Sequence, residues 1–459
     1  MIRNSLLLIL LLVAPLWGTL GSSNLPENFH LAKLDNGLEV LFIEDRTVPL
    51  VTIEIAVHNG AFTESPEYDG LSHLYEHMFF KANRDVPSQE DFLDRIAELG
   101  ISFNGTTSNE RVNYYVTLSS MRLEEGLKFL NSAIRYPLFL KEEMEKENPV
   151  VDAEFQRNES NPVFFLFQDS DKLLWGDHFS YKNVIGDHDV ILSATPEKMQ
   201  EIKNRFYYPN NSILVVAGDI DKDEALPLIK EMYGDWEPSG FDIFEKYPVP
   251  EFEPLKEDKY YITENANTQV PIVMIAMHGP DTRNDVDATY AADVFSFILR
   301  QASSKLQQEL VDTGLALQVD VSYSTLKYVG PIYILMVPHP QKIHEAMAKL
   351  EEHIDRWNDD GYFTDEQLEN AKKMLAIDDA YGKESTSEFV HTLTYWWASA
   401  DIDYYLNYVD KLNAVTREDI KQYVNDYIIN KPKVYGLLVS PETKEALGIE
   451  KFEDIQKSN

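Results

Sequence analysis

Apolar and polar positions alternate with period two in several short runs, and each such run predicts a half-buried strand. Phe29 to Leu34 and Leu38 to Ile43 are split by Asp35-Asn36-Gly37, whose Asn-Gly pair favours a tight hairpin. Val51 to Val57 predicts a third strand, closing on His58-Asn59-Gly60, and Val112 to Leu118 a further one. Ser212 to Ala217 reads as a buried strand between a turn at Tyr207-Tyr208-Pro209-Asn210-Asn211 and Gly218-Asp219. Helical spacing predicts a helix from the N-cap Ser88 to Leu99 and another from Leu123 to Ile134. A long helix follows from Lys141 to beyond Glu154, with Pro149 as a site for a kink.

The order then repeats. Residues 238–256 carry Pro238, Pro248, Pro250 and Pro254 without periodicity and read as a linker. Beyond it, Val270 to His278 mirrors Val51 to His58, and Pro331 to Val337 answers Asn113 to Leu118. The helix Lys342 to Trp357 answers Leu123 to Ile134, and Phe363-Thr364-Asp365-Glu366-Gln367 opens a long helix as Phe139 to Glu143 does. A repeat of about 220 residues is far longer than a solenoid period and points to a duplicated domain. The expectation is an α+β protein with two homologous domains, at 24–237 and 257–459. Each would be a mixed, mainly antiparallel sheet packed with helices.

The N-terminus breaks this pattern. Arg3 precedes an apolar run from Leu6 to Ala14, then Pro15, Gly18, Gly21 and Ser22. That layout predicts a signal peptide at 1–23 and an exported, periplasmic or extracellular protein, with an uncleaved anchor as the alternative. No later segment reads as transmembrane. The 459 residues include no cysteine, which excludes disulfides, thiolate ligands and a cysteine nucleophile. A net charge of −36 argues against nucleic acid and anionic membranes as partners.

Candidate chemistry concentrates in Gly70-Leu71-Ser72-His73-Leu74-Tyr75-Glu76-His77-Met78-Phe79-Phe80. On a helix, His73 and His77 stand one turn apart and can close on one cation, with Glu76 beside them to polarise a bound water. His-x-x-Glu-His is the inverted zinc-peptidase order. The plain alternative is an amphipathic helix whose histidines end in water, and the carboxylate between them weighs against it. A third ligand should come from another element. Glu147 and Glu154, two helical turns apart, are the leading candidates; His58, His178, Asp187 and His188 are weaker ones. The repeat acts as a control: it places Asp293 and Phe297 opposite His73 and His77, Asp378 opposite Glu154 and Ala371 opposite Glu147. The second half therefore lacks the histidines.

With these residues in view, the sequence resembles the pitrilysin/insulysin family of zinc peptidases, especially its half-length branch of mitochondrial processing peptidase and bacterial periplasmic homologues. The resemblance covers nearly the whole mature chain. It implies that His73, His77 and Glu154 hold Zn²⁺, that Glu76 is the general base, and that Glu147 supports a histidine ligand. Asn104, Gly105 and Thr106 match the family's substrate-binding edge strand, where a peptide would pair by β-addition; a plain turn is the other reading of Asn104-Gly105. Tyr208-Pro209-Asn210-Asn211 and Val216-Ala217-Gly218-Asp219 match later signatures. The fold implied is one half of a clam-shell chamber. One stretch departs from the family: Val311 and Leu317 stand where an Arg and a Tyr bind substrate and stabilise the oxyanion, in a segment one residue shorter. The expectation is a zinc endopeptidase for short or unfolded peptides. It would be the zinc-bearing subunit of a heterodimer with a metal-less homologous chain, a homodimer being the other arrangement. A non-catalytic, zinc-retaining scaffold is the alternative function.

Overall fold

The computed structural model describes residues 25–456, so the signal peptide expected at 1–23 lies outside the described residues. The first sheet contains β1 (Phe29–Lys33), β2 (Glu39–Glu44), β3 (Leu50–Val57), β4 (Ser102–Thr107), β5 (Val112–Ser119) and β6 (Ser212–Gly218). Their order is β1-β2-β6-β3-β5-β4, with β2 and β6 parallel and all other neighbours antiparallel. The second sheet contains β7 (Lys259–Glu264), β8 (Ile272–His278), β9 (Ala316–Tyr323), β10 (Pro331–Pro338) and β11 (Val434–Val439). Its order is β7-β11-β8-β10-β9, and the β7–β11 pair is again the parallel one. Laying β7 on β2, β11 on β6, β8 on β3, β10 on β5 and β9 on β4 makes the two orders coincide. The sequence repeat is thus a repeat of topology.

Each sheet carries helices of its own half on one face. On the first sheet these include α1 (Leu71–Phe79), α2 (Gln89–Leu99) and α3 (Leu123–Arg135), which close a core with Val40, Phe42, Ile53 and Ile55. The helix α4 (Lys141–Glu159) continues through Pro149, and α5 (Pro162–Trp175) follows it. On the second sheet, α6 (Val286–Arg300), α7 (Ile343–Arg356) and α8 (Asp365–Gly382) close a core with Val273, Ile275 and Met277.

The opposite face of each sheet is covered from the other half. Val390, Leu393 and Trp397 of α9 (Thr386–Ser399) pack on Leu41, Ile43, Ala56, Ile213 and Val215 of the first sheet. In return, Leu166, Leu174 and Trp175 of α5 pack on Met274, Ala276, Val434 and Leu438 of the second. Burying the three α9 side chains alone contributes roughly 5–8 kcal/mol gross. Coverage on both faces explains why β6 is buried along its whole length. Periodicity did not mark α6, whose buried residues run around most of its circumference. The stretch at 238–256 is irregular apart from one helical turn at Ile243–Lys246. Among the described residues, no helix is long and apolar enough to cross a membrane.

Candidate metal centre

The motif helix is fixed to the sheet by one stripe and faces a cleft with the other. Leu71, Leu74, Tyr75, Met78 and Phe79 are buried in the first core. Phe79 stacks on Tyr114 at 3.7 Å and Tyr75 on Tyr207 at 4.1 Å, while the Tyr114 and Tyr207 hydroxyls share a 2.8 Å hydrogen bond. His73, Glu76, His77 and Phe80, spaced i, i+3, i+4 and i+7, line the cleft. The helix start is set by Glu64, whose buried carboxylate accepts from the Gly70 amide at 2.7 Å and from the Ser72 amide. Gly70 also touches Gly186: a Cβ on Gly70 would lie 2.5 Å from the Gly186 Cα. That contact seats the loop whose Val184 and Ile185 wall the cleft.

Three side chains converge. The Nε2 atoms of His73 and His77 each lie 3.8 Å from Glu154 Oε2, and the three donor atoms lie within 4.8 Å of one another. Donors around a tetrahedral ion at bond lengths near 2.1 Å sit about 3.4 Å apart, so a small contraction accommodates the cation. Two imidazoles and a carboxylate form a donor set suited to zinc, and among the described residues no other group of three meets this geometry. Glu147 stands behind these donors: its Oε1 meets His77 Nδ1 at 2.9 Å and its Oε2 pairs with Lys81 at 2.6 Å. This leaves His77 Nε2 to face Glu154. The spacing in sequence therefore translates into depth, with Glu154 in front and Glu147 behind.

Electrostatics sort the same groups. Burial, helped by neighbouring His77, holds His73 down to about 4, so it is the neutral donor a cation needs. Burial would also lower His77, but the hydrogen bond to Glu147 and the carboxylates of Glu76 and Glu154 outweigh it and raise its pKa. Glu147 is lowered because its bonds to His77 and Lys81 outweigh its burial. Burial raises Glu76 against the opposing pull of His77 and a 3.0 Å hydrogen bond from Thr107 Oγ1. A carboxylate raised in this way is a better proton acceptor near neutrality.

The cleft, about 730 Å³, is bounded by α1, α4 and β4. β4 ends its sheet, so one row of its backbone N–H and C=O groups is unpaired. Asn104 and Thr106 are exposed on this strand, and Gly105 is buried against Glu76. A Cβ at Gly105 would lie 2.9 Å from Glu76 Cγ and 3.0 Å from Oε1, so glycine lets the free edge come down onto the carboxylate.

The weaker candidates lie elsewhere. His58 stacks on Trp397 at 3.7 Å, and His178 packs edge-on to Tyr181 and Phe252. Asp187 caps the short helix His188–Leu192, and His188 bonds Asp152 and sits near Glu159. In the second half Asp293 is half-buried and hydrogen-bonded to the Tyr408 hydroxyl at 2.7 Å. Val311 packs half-buried against the second core in a π-helical turn, and Leu317 is exposed on the edge strand β9. Sequence reasoning missed Glu64, Lys81 and the Thr107 contact. Lys81 stands four residues after His77, a spacing that offered a signal; the other two depend on tertiary contacts.

Two sheets of one strand order, with a histidine pair on a helix beneath the free edge of the first, define a duplicated α+β chain carrying a candidate metal centre. The profile described as Insulinase (Peptidase family M16) matches residues 39–174, and that described as Peptidase M16 inactive domain matches residues 193–375. The chain therefore belongs to the insulinase family, peptidase family M16. It is 25% identical over 355 residues to a Bacillus subtilis protein named uncharacterized zinc protease YmxG, covering 77% of this chain and 84% of that one. A Helicobacter pylori protease superposes with TM-score 0.77 at 20% identity, over 90% of this chain and 99% of that one. The periplasmic protease PqqL of Escherichia coli superposes with TM-score 0.73 at 17% identity; the match covers 95% of this chain and 51% of PqqL. The fold is accordingly that of an M16 half-chamber.

Proposed function

We propose that this chain is a zinc metalloendopeptidase that cleaves short or unfolded peptides. The carrying observation is that Glu76 lies beside the His73, His77 and Glu154 donors and directly beneath Gly105 on a free strand edge. His73, His77 and Glu154 would hold Zn²⁺, with Glu147 orienting His77. When bound, zinc supplies Lewis acidity, lowering the pKa of a water from 15.7 to about 7. Glu76 takes the proton from the attacking water, holds it on its carboxylate, and passes it to the leaving amine. Thr107 fixes one Glu76 oxygen during this exchange. Asn104, Gly105 and Thr106 present backbone to an extended peptide, which favours shape over side-chain identity.

Val311 and Leu317 carry no side-chain hydrogen-bond donor, so the chain would serve as the zinc-bearing subunit beside a metal-less homologue that supplies the missing donors. The protein would act outside the cytoplasm, like the periplasmic relative. The same missing donors favour a second reading, a zinc-retaining scaffold without turnover. Zinc stoichiometry and peptide cleavage, measured on wild type and Glu76→Gln, separate the two. The peptidase reading expects wild-type turnover in the assembled complex, and its loss in Glu76→Gln with zinc still bound at one ion per chain. Loss of metal with activity would make Glu76 a ligand instead, and absence of turnover in every assembly would leave the scaffold. Full activity from the homogeneous chain alone would overturn the heterodimer.

A further inference from the structure

The hairpin that carries β4 is held at its tip by the second half of the molecule. Its turn, residues 108–111, closes through the Ser108 amide to the Arg111 carbonyl at 2.8 Å. The next contacts leave the first half altogether. Glu110, 2% exposed, accepts from the Lys327 and Tyr328 amides, each at 2.8 Å, in the loop between β9 and β10. Lys182 Nζ grips the same loop from the other side, donating to the Tyr328 carbonyl and to that of Val329 at 2.9 Å. Arg111 sends one guanidinium nitrogen to the His391 carbonyl at 2.6 Å and to Thr394 Oγ1 at 2.7 Å, both on α9. Its other terminal nitrogen donates to Thr106 Oγ1 at 3.2 Å.

Behind these contacts lies a buried polar network that runs through the sheet. Glu54 on β3, fully buried, accepts from Asn113 Nδ2 at 2.9 Å and from the Thr394 hydroxyl, and is bonded to His391 Nδ1. Asn113 in turn accepts from Thr106. Successive residues on a strand face opposite ways. Thr107 therefore reaches Glu76 on the cleft side, while Thr106 reaches Arg111, Asn113 and, through them, α9 on the other side. A shift of α9 or of the loop holding Glu110 must move the hairpin, and with it the edge that lies over Glu76.

We propose that the second half acts on the cleft through this clamp, with Glu110 and Arg111 as positioning residues that fix the height of the β4 edge above Glu76. The ligand concerned is the backbone of an extended peptide, and only that kinetic consequence rests on the peptidase reading above. Hydrogen bonds of a buried charged group contribute about 1.5–3 kcal/mol, so breaking one should change edge-strand opening or peptide affinity about ten- to a hundredfold.

The test uses the full chain, in its assembled form where turnover requires it, with amide hydrogen exchange resolved to β4 and β3, zinc content, and kcat and KM for a peptide. Thr394→Val is isosteric and distant from the cleft, and Arg111→Met cuts the clamp at its centre. Both are expected to speed exchange of the paired β4 amides about tenfold or more while β3 is unchanged. KM should rise about tenfold with zinc at one ion per chain, and Thr394→Ser, which keeps the hydroxyl, should restore wild-type behaviour. Wild-type β4 exchange and KM in Thr394→Val would overturn the proposal, as would an equal rise in exchange across the whole first sheet. If wild type turns nothing over but β4 exchange still rises locally in the variants, the clamp stands and the peptidase reading falls. If wild type turns peptide over but β4 exchange is unaltered in the variants, the peptidase reading stands and the clamp falls.

Discussion

Glu147 and Gly105 touch the candidate centre without belonging to its triangle of donor atoms. Glu147 fixes the ring of His77 from behind, and groups in that position typically change metal affinity 10–100-fold. Glu147→Ala is therefore expected to weaken zinc binding by about that factor while leaving the fold intact, as competition with a chelator of known affinity would measure. Lys81 would then lose its partner, so Glu147→Gln, which keeps an acceptor, should fall between wild type and Ala. Gly105→Ala probes the other side. Its new methyl would lie 2.9 Å from Glu76 Cγ, and displacing a reacting group by about 1 Å can cost about 100-fold in rate. Turnover should drop by at least about tenfold with zinc content unchanged. Wild-type turnover in Gly105→Ala would mean that the edge strand does not set the position of Glu76.

At the scale of elements, the motif helix depends on a group that sequence spacing does not reveal. Glu64 satisfies two amides at the start of α1 from just past the 3-10 turn Ala61–Thr63. Glu64→Ala leaves both donors buried without a partner, at a cost of about 2 kcal/mol or more, and should lower the denaturation midpoint. The reason this was illegible is physical. Strands β1 to β3, β5 and β6 and helices α2 to α4 announce themselves through local apolar patterns, and their bounds fall within a residue or two of those read from sequence, apart from the open C-terminal end given for α4; β4 entered only through the family resemblance and α1 through its motif. Caps such as Glu64, the Thr107–Glu76 bond and the choice between Glu147 and Glu154 depend on which elements meet in space. His73, Glu76 and His77 were readable because one helix carries all three. The assignment of Glu154 to the front of the site came from a family resemblance, and its convergence with the histidines is a tertiary fact.

For the molecule as a whole, buried carboxyls set a pH response. Burial raises Asp293 to about 7 from an ordinary 3.8, against the opposing hydrogen bond of Tyr408. Asp69, just ahead of the motif helix, is likewise raised to about 7 by burial despite its bonds from Asn183. A carboxyl with a raised folded-state pKa binds its proton more tightly in the native protein. Its contribution is full below pH about 4 and is lost as pH rises through about 7, with a slope of at most about 1.4 kcal/mol per pH unit per group. Thermal unfolding should therefore show a fall in stability between pH 5 and 7.5 from these two groups. Asp293→Asn should flatten that fall, whereas an unchanged profile would mean that Asp293 is ionised in the folded state throughout.

The exchange of α5 and α9 between the halves also has a consequence in time. The last strand of the first sheet is synthesised by Gly218, but the helix that covers its second face begins at Thr386. The ribosome must add roughly 170 further residues, which takes roughly 10 to 30 s at about 5–20 residues per second. Throughout that interval a sheet lined by Leu41, Ile43, Ile213 and Val215 has one apolar face without its cover. A nascent or truncated first half is therefore a target for chaperones and a site of misassembly. The N-terminal segment to residue 256, made alone, should come out insoluble or chaperone-bound, and adding the C-terminal segment in trans should rescue it.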